Sequence, residues 1–149
     1  MLQATNRLAE AEPLMRRALA IDQASFGDDH PRVAIDLNNL AQLLKATNRL
    51  AEAEPLLRRA LVIDQASFGP DHPSVAVRLN NLAQLFKATD RLAEAEPLLR
   101  RALQIVVVSL GIDHPKARTV GGNFLALLQA MGRTEDEITS ELAALLKQP

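Results

Sequence analysis

The stretch Leu8-Ala9-Glu10-Ala11-Glu12-Pro13-Leu14 returns unchanged from Leu50 to Leu56 and from Leu92 to Leu98, so the chain repeats every 42 residues. The repeat extends well beyond this phrase. Residues Gln3 to Leu37 match Lys45 to Leu79 at 28 of 35 positions. A period in this range marks stacked supersecondary units, none of which can bury its apolar face alone. Neighbouring units must cover it, which builds an extended surface in place of one closed pocket. The pattern therefore points first to binding or assembly.

The unit starting at Pro73 shows how each repeat is built. Asp71-His72-Pro73 opens a helix, because proline suits the first helical position, where its missing N–H would be unpaired anyway. Val75, Leu79, Leu82, Ala83 and Phe86 then form an apolar stripe of helical period. Thr89-Asp90 interrupts the run, with Asp90 expected to N-cap a second helix. That helix carries Leu92, Ala95, Leu99, Ala102 and Leu103 on one face and ends near Gly111. Alanines at 83, 95 and 102 allow close approach, and the large residues beside them fill the space. Pro97, like Pro13 and Pro55, falls early in the second helix and is expected to bend it without breaking it. Glu12 and Arg16, Glu54 and Arg58, and Glu96 and Arg100 have the i,i+4 spacing of solvated helix pairs.

Composition narrows the class. Leu and Ala dominate and there are four Phe with no Trp or Tyr, so an all-α fold is expected. A net charge of −1 disfavours a nucleic-acid partner. No apolar run is long enough to span a bilayer, and the first residues lack a signal-peptide pattern, so no membrane partner is expected and cytoplasm is the expected compartment. The absence of cysteine removes disulfides and thiolate sites. His30, His72 and His114 lie one repeat apart and cannot converge on one metal ion; helix-start packing is their expected role. No nucleophile–base grouping or phosphate loop is present, and no cofactor, metal site or catalytic residue is expected.

Asn-Asn-Leu-Ala-Gln-Leu at Asn38 and Asn80, followed by Arg-Leu-Ala-Glu-Ala-Glu-Pro-Leu-Leu-Arg-Arg-Ala-Leu, resembles a tetratricopeptide (TPR) repeat. The unit length and the connector Gly69-Pro70-Asp71-His72-Pro73 resemble the kinesin-light-chain-like subclass. The resemblance implies a right-handed superhelical solenoid of about seven helices in antiparallel pairs. It divides the chain into a half unit (1–30), complete units (31–72 and 73–114) and a divergent cap (115–149). It also implies a concave groove lined by the first helix of each pair, where a protein or peptide ligand binds. Carried onto this chain, the groove residues are Asn38, Asn39, Gln42 and Lys45, then Asn80, Asn81, Gln84 and Lys87, then Asn123. An Asn carries a donor and an acceptor together and can grip a peptide backbone, or else bridge neighbouring repeats.

Departures from the repeat are informative. Met1 aligns with Leu43, so the first unit lacks most of its first helix, and the face at Leu8, Ala11, Met15, Ala18 and Leu19 is expected to be short of cover. Either the sequence is the C-terminal piece of a longer regulatory array, or another chain covers that edge, making Leu8, Met15 and Leu19 candidates for homo-oligomer contacts. Val106, Val107 and Val108 replace Asp64, Gln65 and Ala66. That run either covers the last helix or leaves an apolar patch, so Val106 and Val107 join the self-association candidates. Gly121-Gly122 and the acidic start of a final helix near Thr134 mark the last unit as a cap. The expected function is a non-catalytic interaction scaffold, with self-association as the alternative.

Overall fold

The computed structural model describes residues 2–147, with side chains described for 7–147. Seven helices are present among the described residues: α1 (Leu2–Phe26), α2 (Pro31–Ala46), α3 (Leu50–Phe68), α4 (Pro73–Ala88), α5 (Leu92–Leu110), α6 (Pro115–Ala130) and α7 (Glu135–Lys147). They form two compact units that divide between Gly69 and Pro70.

In the first unit α2 packs on α3, and α1 packs on α2. Val33, Ala34 and Leu37 of α2 meet Ala60 and Ile63 of α3, with Leu19 and Leu56 packed against the cluster. Ala53 and Ala60 are fully buried, so the α3 backbone can come close to α2 while Leu37, Leu40 and Leu44 fill the space on either side. Each of these leucines contributes about 1.5–3 kcal/mol by leaving water. The second unit repeats the arrangement in α4 and α5, then adds α6 and α7 against α5. Phe124, Leu127 and Leu128 of α6 are buried, as are Ile138 and Leu145 of α7. Leu146, next to Leu145 on α7, is 42% exposed.

The helix boundaries have local causes. His30, His72 and His114 are N-caps: each Nδ1 accepts a hydrogen bond from the backbone N–H two residues on, at Arg32 (3.1 Å), Ser74 (3.0 Å) and Lys116 (3.1 Å). A proline follows each cap at the first helical position. The second helices end at Gly27, Gly69 and Gly111, where φ is 91°, 90° and 95°. With ψ of 160° at Gly69 and 153° at Gly111, this is a region that side-chain-bearing residues almost never occupy, and not the left-handed helical turn. α7 starts in a reciprocal capping box between Thr134 and Glu137.

Asp90 does not have the expected role. Its φ of 59° makes it the left-handed residue that closes α4, as Asn48 (φ 61°) closes α2, while Arg91 stands at the N-cap of α5 without a side-chain cap bond. The Arg91 N–H donates back to the Phe86 carbonyl at 2.7 Å, which satisfies the end of α4. The prolines behave as expected in one respect: Pro13, Pro55 and Pro97 sit inside continuous helices. α1 also continues through Thr5-Asn6, which aligns with the turn Thr47-Asn48.

Candidate functional site

The amide-bearing residues of the first helices lie on the side of each helix away from its buried stripe. In the first unit Asn39 of α2 is exposed, and Asn38, Gln42 and Lys45 are half-buried. In the second unit Asn80, Asn81, Gln84 and Lys87 of α4 are half-buried, as is Asn123 of α6. Asn123 aligns in sequence with Asn81, yet its Nδ2 donates to Oδ1 of Asn80 at 2.9 Å. This bond joins α4 to α6 and occupies part of the amide surface, so here one amide pair bridges two repeats. Nε2 of Gln84, by contrast, is buried with no hydrogen-bond partner. A buried amide N–H without a partner costs about 1–3 kcal/mol, which makes it a waiting donor.

Next to Asn80 the second unit has a cleft of about 260 Å³, lined by Val77 of α4, Val106 of α5, and Pro115, Lys116, Thr119 and Val120 of α6. Its floor is apolar, with an amide and an ammonium group at the edge. Val106 and Val120 stand where the preceding repeat has Asp64 and Arg78, both buried charged residues. The loss of both charges makes this floor apolar. Sequence reading missed Lys116, Thr119 and Val120 as lining residues; the signal was there in the paired change of Asp64 to Val106 and of Arg78 to Val120 between repeats.

These features sit on helix pairs of one repeated design. A tetratricopeptide repeat profile matches residues 1–66 and 49–106, more than half of the chain. This chain belongs to the tetratricopeptide repeat family. Its solved structural neighbours are kinesin-light-chain-like TPR proteins. The crystal structure of a putative kinesin light chain with nearly identical TPR-like repeats from Podosopora anserina aligns with a TM-score of 0.74 at 25% identity, and a single-substitution form of that protein with 0.75 at 24% identity. The alignments cover 97% and 96% of this chain and 69% and 68% of theirs. BtubC (BKLC) from P. vanneervenii aligns with a TM-score of 0.80 at 24% identity, over 97% of this chain and 60% of its own length. No curated protein sequence matches this chain.

Acid–arginine pairs tie the TPR helix pairs together along the second helices. The expected i,i+4 pairs are present: Arg16–Glu12 at 3.0 Å, Arg58–Glu54 at 2.9 Å and Arg100–Glu96 at 2.8 Å. Sequence spacing did not show that Glu12 also holds Arg49, at the start of α3, or that Glu96 holds Arg133, before α7, at 3.4 Å. The Arg49 and Arg16 guanidinium groups hold the Glu12 carboxyl below the usual range. Arg133 further pairs with Glu141 on α7.

The self-association candidates separate. Val106 is 1% exposed, so its own unit consumes it; Val107 is half-buried, and Val108, at 74%, is the exposed member of the run. Val107 and Val108 line a second cleft of about 390 Å³ with Asp71, Arg101, Leu145 and Leu146. Leu19 packs against the α2–α3 cluster and is not a free contact. Leu8 and Met15 are half-buried. Among the described residues no helix is long and apolar enough to cross a membrane, and no group of three His, Asp or Glu residues is placed to hold a metal ion.

Proposed function

We propose that this TPR chain is a non-catalytic scaffold that binds a peptide or protein segment on the polar faces of its first helices. The observation that carries the reading is the apolar cleft of the second unit, rimmed by Asn80 and Lys116, together with the partnerless amide nitrogen of Gln84 one helical turn beyond Asn80 on α4. Turned outward by rotation of the Gln84 side chain, that donor fits a backbone carbonyl of an extended segment, an aliphatic side chain fits the cleft, and Lys87 at the end of α4 favours a nearby acid. Asn81 and Lys87 flank Gln84 on α4, and Asn38, Asn39, Gln42 and Lys45 offer the same residue types on α2.

The test begins with peptides selected by display on the intact chain, whose affinities are then measured by calorimetry. Gln84→Ala and Lys116→Ala should each weaken binding about three- to tenfold, the worth of one hydrogen bond or charge. Selected peptides that bind both variants as tightly as the parent would place their site elsewhere and overturn the assignment.

A further inference from the structure

Ile21, Ile63 and Ile105 occupy one position in three successive repeats, yet Ile21 is 54% exposed while Ile63 is 2% and Ile105 3%. The neighbouring positions follow suit. Ala60 and Ala102 are fully buried, whereas Ala18 is exposed. Leu57 and Leu99 are buried where Met15 is half-buried, and Ala53 and Ala95 are buried where Ala11 is half-buried. The same sequence thus has two environments, and the reason is local. On α3, Ala60 and Ile63 meet Val33, Ala34 and Leu37 of α2. α4 repeats that triad as Val75, Ala76 and Leu79, all buried. Among the described residues α1 has no such helix on this side, while its other side, through Leu19, is occupied by the α2–α3 cluster.

We propose that the face Ala11–Met15–Ala18–Ile21 of α1 is a docking site for an amphipathic helix, from outside these 149 residues, with the Val-Ala-x-x-Leu pattern of α2 and α4. The later repeats supply the template, since α3 presents this face to a helix of that pattern. Geometry also selects this occupant. Alanines at 11 and 18 permit close backbone approach, and the covering helix must supply bulk, as Leu37, Leu40 and Leu44 do from α2. An extended segment would leave its backbone groups unpaired against an apolar wall, whereas a helix satisfies its own. Arg16, Arg17 and Asp22 around the face give it mixed charge, unlike the uniformly basic rim of a lipid-binding helix.

The experiment titrates the full chain into a fluorescein-labelled peptide with the sequence of residues 73–89 and follows anisotropy. Saturable one-to-one binding is expected, weakened about tenfold or more by Ala18→Glu or Ile21→Glu, since either places a carboxylate in an apolar contact. Both positions are exposed, so helicity by circular dichroism should be unchanged. Val62→Glu, at a 61% exposed position on α3, should bind as the parent does. A peptide with Ser at its Val75, Ala76 and Leu79 positions should not bind. The proposal is overturned if the peptide fails to bind, if binding survives both glutamate variants, or if the chain forms a dimer through α1 that the peptide does not displace.

Discussion

The carboxyl group of Asp36 on α2 lies beside that of Asp22 on α1, at positions where the next repeat has Asp64 and Arg78 and the one after that Val106 and Val120. The second Asp36 oxygen, Oδ2, is buried without a hydrogen-bond partner. Two acids this close cannot both ionise cheaply, and burial together with Asp22 pushes the Asp36 carboxyl up to about 6, against a smaller opposing effect of Arg32. One pair of repeat positions thus holds two acids, then an acid and a base, then two apolar residues.

A pH dependence follows from the acid pair. Asp36 binds its proton more tightly in the folded chain, so its ionisation destabilises the fold as pH rises from about 4 through 6. Glu12, Glu52 and Glu137 act in the opposite sense: their carboxyls are held below the usual range, and their contribution is lost as pH falls. The comparison of parent with Asp36→Asn therefore isolates the pair. Thermal unfolding should show the variant gaining on the parent between about pH 4 and 7, and Asp36→Arg, which copies Arg78, should gain further at about pH 7. Parallel curves at all pH values would refute the coupling.

Val106 and Val108 should respond in opposite ways to the same change. Val106→Asp places a charge in a fully buried position and should cost about 3 kcal/mol or more, whereas Val108→Asp should stay within about 0.5 kcal/mol of the parent. Urea denaturation of the two variants decides it.

Arg133 joins the end of α6 to both α5 and α7 through Glu96 and Glu141, and all three side chains are about three-quarters buried. Arg133→Ala should cost about 1 kcal/mol, more than an exposed pair, because it leaves Glu96 and Glu141 to share the one remaining cation, Arg100, at 2.8 and 3.9 Å. Loss of hydrogen-exchange protection should concentrate in α7. Uniform loss across all helices would count against this role.

Asp90 adopts a left-handed conformation that Gly132 adopts in the last unit. Asp90→Gly should be neutral or stabilising by up to about 1 kcal/mol, and Asp90→Val destabilising by about 1–2 kcal/mol, because a branched side chain crowds the carbonyl there. Equal denaturation midpoints for the two variants would contradict the assignment.

The helix pairs were legible because the chain states its pattern three times, and Pro31, Pro73 and Pro115 announce the helix starts. Other features required three dimensions. Thr89-Asp90 reads equally well as the end of one helix or the cap of the next, and the choice rests on the bond from Arg91 N–H to the Phe86 carbonyl. Asn123 aligns in sequence with Asn81, and only side-chain reach shows that it pairs with Asn80. Leu19 and Ile21 are both apolar residues of α1 two positions apart, and only packing shows that the first is covered and the second open. The Asp22–Asp36 contact lay in the same comparison of repeats, at one of the few positions where they differ.

The central claim is that the polar faces of the first helices bind a polypeptide segment. Its most direct test is the ¹H–¹⁵N spectrum of the uniformly labelled chain as a display-selected peptide is titrated in. Binding as proposed should shift the side-chain amide signals of Gln84, Asn80 and Asn123 together with backbone signals of α4, of α6 and of α5 around Val106, and leave α7 largely unmoved. Shifts confined to α5 and α7, with the Gln84 amide unmoved at saturation, would contradict it.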